Sequence, residues 1–435
     1  LMAADSAVMV IDAAKGVEAQ TIKLFKVCTL RHIPIFTFIN KMDREARDPF
    51  ELMENIEEIL GIKTYPMNWP IGCGKEFKGV FDRNTRKVLA FSSDGRANGV
   101  KKVDETEAEL GDPALDELLT PYLHQQLVDE IELLDGAAEE FDLDKVLRGE
   151  LSPVFFGSGI NNFGVEDVLE ALVDWAPQPQ PRDAGVRIVQ PTESPFTGFV
   201  FKIQANMDPH HRDRIAFLRV CSGRYEPGMK VFHVREGKEM KIPNALTFMA
   251  QERKRMEEAV AGDIIGIYNH GQLHIGDTLT EGEKLGFVGI PFFAPELFRS
   301  VRCKNPFKEK QLRQGLQELG EEGAIQVFTD DLGHIYLGAV GILQFEIVAQ
   351  RLATEYRVDA IYESTEVSTA RWLVFPDDKG KTREEFEAEQ ASRLATDADG
   401  NLVYLATSVY NLQTTQKHWE NVQFLTTREM GQKFN

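Results

Sequence analysis

Few arrangements accommodate Ile35-Phe36-Thr37-Phe38-Ile39, five residues of β-branched and aromatic character that give way without a break to Asn40-Lys41-Met42-Asp43. A run of this kind belongs in a strand buried on both faces, as in a parallel sheet flanked by helices. Its abrupt polar end then lies at the carboxyl edge of the sheet, where open α/β sheets bind their ligands. The order N-K-x-D suits a guanine base. The Asp43 carboxylate can accept hydrogen bonds from the ring N1–H and the exocyclic 2-amino group. Adenine offers neither donor there, so a mismatch costs about 1–3 kcal/mol or more. Asn40 can bridge the base and a neighbouring loop, and the aliphatic stem of Lys41 can cover the base plane.

The surrounding chain supplies a matching frame. Ala7-Val8-Met9-Val10-Ile11 is another continuously apolar run, which predicts a parallel strand covered on both faces. Asp12-Ala13-Ala14-Lys15-Gly16 is its exit loop. A helix follows with Ile22, Phe25 and Cys28 on one face, and ends before Pro34. Strand, helix and strand form a right-handed crossover unit. A second helix begins at Asp48-Pro49-Phe50-Glu51, with Asp48 as cap and Glu51 reaching back, and stops at Gly61. Between Trp69 and Glu150 the alternation breaks. Val80-Phe81 and Val88-Leu89-Ala90-Phe91 predict a hairpin, the acidic stretch Asp104–Asp116 a solvated face, and Leu123, Leu127, Ile131 and Leu134 a helix returning to the core. Ser152–Phe156 is a further buried strand, leading into Gly157-Ser158-Gly159, and a helix over Val165–Ala176 closes the region. Pro177-Gln178-Pro179-Gln180-Pro181 is a stiff linker.

Beyond it the period changes to two. Short strands at Phe199–Ile203, Ile215–Val220 and Ile264–Ile267, separated by glycine turns, predict a small β-barrel. After Pro291 helices and strands mix again: a Leu312/Leu316/Leu319 core stripe, strands Ala324–Phe328 and Ile335–Val340, a helix with Phe345, Val348 and Leu352, then a strand at Val358–Tyr362. The pattern predicts helices on one face of an antiparallel sheet, followed by a polar helix Arg383–Leu394 and strands near Leu402 and Val422. The fold class is therefore multidomain α/β, with domains expected at 1–182, 183–290 and 291–435.

Composition narrows the setting. Nothing approaches eighteen consecutive apolar residues, so no membrane span is expected. Four scattered cysteines without a C-x-x-C pair point to a reduced cytoplasm rather than a zinc ribbon or disulfide framework. A net charge of −20 discourages indiscriminate nucleic-acid binding. Against it stands a basic cluster, Arg299, Arg302, Lys304, Lys308, Lys310 and Arg313, opposed only by Glu309. It reads either as a solvated helix entry or as a phosphate contact with RNA. His210-His211 near Asp208 read as polar residues of a surface loop rather than a metal site, and Phe292 and Phe293 as packing between barrel and last domain.

An α/β domain with N-K-x-D, a proline-rich exit and a small barrel resembles the translational GTPases. Asp12–Glu18 looks like that family's strand-to-helix segment and Trp69-Pro70-Ile71-Gly72 its insertion. Gly157-Ser158-Gly159 resembles its last guanine motif, in which the amide at Gly159 meets the guanine 6-oxygen and Ser158 supports it. The strings Phe201–Phe217, Glu321–Phe328 and Gly338–Phe345 resemble the bacterial peptide chain release factor three family. It implies a partial P-loop-type GTPase domain, a translation-factor barrel and an α+β C-terminal domain. It further implies GTP or GDP as cofactor with Mg2+, and a cytoplasmic factor that acts on the ribosome, both RNA and protein, to promote recycling of class I release factors.

The phosphate-binding string G-x-x-x-x-G-K-[ST] is not matched. Gly380-Lys381-Thr382 has Phe375 where the first glycine belongs, and Gly72-Cys73-Gly74-Lys75 has no hydroxyl after its lysine. The switch elements would lie before Leu1, so the chain is expected to be an N-terminally truncated form with no catalytic or metal residue of its own. Its site residues are then Asn40, Lys41, Asp43, Ser158 and Gly159. Two alternatives are an elongation factor G-like translocation factor and a nucleotide-independent ribosome-binding protein.

Overall fold

The computed structural model describes residues 1–92, 96–97, 100–101, 104–113, 115–137, 140–205, 214–249, 252–287, 291–376 and 381–429. His210, His211 and Asp208, weighed above as a metal site, lie outside them. The chain divides into two compact units, Ala3–Gln178 and Pro179–Asn435, with the division inside the proline-rich linker.

The first unit is built on a parallel sheet. Strands β1 (Ala7–Asp12), β2 (Ile35–Asn40), β3 (Lys63–Pro66) and β8 (Leu151–Phe156) run in the order β1-β2-β8-β3. Helices α1 (Ala19–Leu30) and α2 (Pro49–Leu60) make the connections around β2. The start of α2 follows its capping signature: Asp48 Oδ1 accepts from the amides of Phe50 (2.9 Å) and Glu51 (3.3 Å). Its end is Gly61 in the left-handed region, at φ 71°. The Glu51 side chain pairs with Arg47 at 3.9 Å. Residues Ile35–Ile39 are all buried. The one polar side chain among them, Thr37, shares a 2.7 Å hydrogen bond with the Ser152 hydroxyl, which also donates to the Ile35 carbonyl.

One expectation for this sheet fails. β1 is an edge strand, and Val8 and Val10 are 42% and 56% exposed rather than covered on both faces. Alternation puts them on the same side, the side on which Phe36 and Phe38 of the neighbouring β2 pack with Val168 and Ala171. The segment after β3 forms an antiparallel sheet of β4 (Asn68–Ile71), β5 (Gly79–Asp82), β6 (Lys87–Ser92) and β7 (Asp104–Glu109). The start of the acidic stretch is thus an edge strand of this sheet. Helix α3 (Pro121–Ala137) buries Leu123, Leu127, Ile131 and Leu134 in the main core, and α4 (Val165–Trp175) follows β8.

In the second unit an antiparallel sheet wraps a barrel-like core. Its strands are β9 (Thr197–Ala205), β10 (Arg214–Ser222), β11 (Lys230–His233), β12 (Lys238–Lys241), β13 (Ala245–Met249), β14 (Glu252–Met256), β15 (Ile264–Tyr268) and β16 (Thr278–Thr280). They run in the order β12-β11-β16-β9-β10-β15-β13-β14 around Phe196, Val200, Leu218, Ile265 and Leu279.

A second antiparallel sheet follows. Its strands are β18 (Leu297–Cys303), β19 (Gln326–Thr329), β20 (Ile335–Ala339), β21 (Ala360–Glu363), β22 (Thr369–Val374), β23 (Leu394–Asp397), β24 (Leu402–Ala406) and β25 (Gln423–Leu425), preceded by the short strand β17 (Pro291–Phe293). The order is β21-β18-β20-β19-β23-β24-β22-β25. Alternation along the strands sends Val301, Ile335 and Leu337 to helices α5 (Glu309–Glu321) and α6 (Leu343–Glu355). Leu373, Leu394 and Tyr404 face α7 (Lys381–Gln390) and α8 (Val409–His418). The opposite face, with Phe298, Phe328, Trp372 and Val403, receives Phe292. Helices therefore occupy one face, as expected. Phe292 packs on Trp372 of this sheet, at 6.2 Å between ring centroids. The polar helix ends at Gln390, and the expected strand at Val358 begins at Ala360 because Val358 is drawn into the α5–α6 core.

Candidate functional site

Parallel register sets the geometry at the carboxyl edge of the first sheet. Asp12 stands opposite Asn40, and Phe156 opposite Ile39, so β1, β2 and β8 release their chains at one level. The loops that leave β2 and β8 are joined through their main chains. Gly157 donates to the Ile39 carbonyl (3.0 Å), and Met42 donates to the Gly157 carbonyl (3.1 Å). Gly157 has no room for a side chain: a Cβ there would sit 2.2 Å from the Phe163 carbonyl oxygen.

Side chains complete the junction. Ser158, fully buried, donates to Asp43 Oδ1 at 2.5 Å and accepts from Asn161 Nδ2 at 3.0 Å. Asn40 Oδ1 accepts from the amides of Lys41 and Gly159, both at 2.8 Å. The polar end of β2 and the Gly157-Ser158-Gly159 loop thus form one cluster, although more than a hundred residues separate them in sequence. Asn40 bridges to the neighbouring loop as its chemistry suggested. Gly159 has no tight protein neighbour: a Cβ would lie 3.5 Å from Asn40 Oδ1, an ordinary contact. Within the protein, the demand for glycine falls on Gly157.

Lys41 adopts φ 75°, a left-handed turn that lifts its side chain back over the sheet edge. Its ammonium meets Asp12 Oδ2 at 2.6 Å. That hydrogen bond is the main reason the Asp12 carboxyl is held below its ordinary range. Asp12 Oδ1 also accepts from the Ala14 amide (3.0 Å), which fixes the carboxylate as a brace for the lysine. Sequence reasoning assigned neither Asp12 nor Asn161 to the site. Asp12 was recoverable from strand register, since it follows Ile11 as Asn40 follows Ile39. Asn161 had no signal beyond its closeness to Ser158. A carboxylate and an amide facing one slot can together read a purine edge that presents donors and an acceptor.

The described residues contain no group of three or more His, Cys, Asp or Glu side chains disposed to hold a metal ion. Among them no helix is long and apolar enough to cross a membrane.

Known domain families match along the chain in the same order. Residues 1–178 match the Elongation factor Tu GTP binding domain, 195–282 Elongation factor G domain 2, and 287–416 the Class II release factor RF3, C-terminal domain. Peptide chain release factor 3 of Aromatoleum aromaticum is 61% identical over 442 residues, spanning 100% of this chain and 79% of that protein. The chain belongs to the peptide chain release factor 3 family. This is a family of translational GTPases that act in termination, and the match over 287–416 favours it over an elongation factor. A crystal structure of a Thermus thermophilus protein superposes with a TM-score of 0.62 at 25% identity, covering 86% of this chain and 55% of that one. Membership of the release factor 3 family implies binding of GTP and GDP and interaction with the ribosome.

Proposed function

We propose that the protein works on the ribosome as a guanine-nucleotide-dependent termination factor, promoting departure and recycling of class I release factors after peptide release. Asn40, Lys41, Asp43, Ser158 and Gly159 form its base-reading slot. The observation that carries this reading is the Ser158–Asp43 hydrogen bond of 2.5 Å, which joins the two recognition loops at one point. Among the described residues it is Asp43's one hydrogen bond, and it engages Oδ1. The carboxylate retains capacity for the N1–H and 2-amino donors of guanine. The Gly159 amide, now on Asn40 Oδ1, can be shared with the purine 6-oxygen as the base enters. Lys41, braced by Asp12, closes the slot with its stem. Magnesium would accompany the nucleotide's phosphates, and no residue of this chain is assigned to it. The setting is the bacterial cytoplasm, and the expected divisions at 183 and 291 separate base-reading, barrel and C-terminal modules.

A ligand that binds only the folded state raises the melting temperature, by the equivalent of about 2.7 kcal/mol at a hundred times its dissociation constant. GDP should raise it and ADP should not. Equal response to both nucleotides would refute base selection, and response to neither would favour a nucleotide-independent ribosome-binding protein.

A further inference from the structure

We infer that the turn bearing Phe307 is an RNA contact, in which the ring stacks on an unpaired base while the surrounding cations hold the flanking phosphates. This rests on the ribosome-directed reading above. Phe307 is 95% exposed. It does not hang on a loose loop. Asn305 Oδ1 accepts from the Phe307 amide at 3.1 Å, Pro306 opens a short 3₁₀ turn over Pro306–Lys308, and α5 begins at the next residue. The Asx cap and the proline hold the backbone in the conformation that presents the ring outward. A rigid platform loses little entropy when a base settles on it.

The charges around it sort into two groups. Arg299 donates to Ser364, Arg302 pairs with Glu363 at 2.8 Å, and Arg313 pairs with Glu309 at 3.1 Å. These three are engaged by partners of their own. Lys304, Lys308, Lys310 and Arg357 have no carboxylate partner among the described residues. Arg357 lies more than forty residues beyond the basic stretch, yet the Lys308 ammonium donates to its carbonyl at 2.5 Å and brings it alongside. Lys304 is fixed by its amide to the Asp359 carbonyl, 2.9 Å away. Three of the four, Lys304, Lys310 and Arg357, are exposed.

In a chain of net charge −20, a local excess of cations around one projecting ring is complementary to a polyanion that also offers flat aromatic faces. Unpaired RNA has both features. A protein partner would call instead for an apolar rim around the aromatic anchor. The ring's neighbours on the turn are Asn305, Pro306 and Lys308.

The test uses purified bacterial ribosomes, with the labelled protein titrated between about 50 and 200 mM salt. Phe307→Ala should weaken binding about five- to a hundred-fold, while Phe307→Trp stays near the parent. Lys304→Ala and Lys310→Ala should each lower the salt slope by about one. Ultraviolet irradiation should link the peptide carrying Phe307 to ribosomal RNA. Thermal melts of the variants control for folding, and all these side chains lie at the surface. If the parent protein binds no ribosomes, the termination-factor reading itself falls. Binding by the parent with Phe307→Ala unchanged overturns the RNA contact and leaves that reading standing. A link from the Phe307 peptide to a ribosomal protein, with none to RNA, also overturns it.

Discussion

Asp43 and Asp277 are both carboxylates beside strand ends, and their surroundings give them opposite roles. Asp277, at the start of β16, is 4% exposed. It is engaged by His233 Nε2 (2.8 Å), Arg235 Nε (2.6 Å), Arg235 Nη2 (3.0 Å) and the His274 amide (2.8 Å). Asp43, half-buried at the sheet edge, takes one hydroxyl. A carboxylate held by four donors of its own chain is a strut, because its hydrogen bonds are spent on the fold. One that is oriented by a buried serine yet open at its other oxygen is arranged to meet something from outside. The number and placement of partners, more than burial alone, separates scaffold from site.

The contrast can be broken at the strut. Asp277→Ala would leave His233 buried and Arg235 partly buried without their anion. Removing one partner of a buried pair costs about 3–5 kcal/mol, and the 41% exposure of the Arg235 side chain places this case near the lower limit. Urea unfolding should show the loss; a change below about 1 kcal/mol would contradict a strut. Burial pushes the Asp277 carboxyl up, but hydrogen bonds from His233, Arg235 and the His274 amide outweigh it and leave it below its ordinary 3.8. A lowered folded-state pKa means stability that is full above the unfolded value and lost as pH falls through the folded one. Acid titration of the parent should therefore show this contribution disappearing only below about pH 3.8, and Asp277→Asn should flatten that limb.

At the site the expected effect moves from stability to affinity. In a chain supplied with a phosphate-binding loop, Asp43→Asn should weaken guanine nucleotides by about 1–3 kcal/mol and shift preference towards xanthine, with little change in melting temperature. Competition between labelled GDP and XDP reads it; unchanged guanine affinity would remove Asp43 from the slot. Ser158→Ala deletes the hydroxyl that orients Asp43 and accepts from Asn161, and a loss of about 0.5–1.5 kcal/mol in GDP affinity is expected by the same assay. Smallest is Asp12→Asn, which releases an exposed lysine at about 0–1 kcal/mol. Its effect should shrink further at high salt, whereas a salt-independent loss would mean Asp12 touches the nucleotide.

Much of this was legible because local and global preferences agree. The apolar runs of β2 and β8 name their strands, Asp48-Pro49 and Gly61 bracket α2, and Leu312, Leu316 and Leu319 lie in the core. Helix α8 escaped notice. Its sequence Val-Tyr-Asn-Leu-Gln-Thr-Thr carries β-branched residues that favour strand, and tertiary packing of Leu412 overrides them. The readable sign was Ser408, whose hydroxyl caps the Asn411 amide at 3.1 Å. The arrival of Arg357 beside Lys308 could not be read from spacing, because it depends on which helix ends the fold sets side by side.

The backbone stitches through Gly157 carry a further implication. Since the loops that leave β2 and β8 are joined main chain to main chain, their spacing depends little on what residue 160, 77% exposed, happens to be. That position is free to drift over evolutionary time, whereas Asn162, at φ 60°, is held to residues that tolerate a left-handed turn. A graft of either loop into another scaffold would fail unless its partner loop travelled with it.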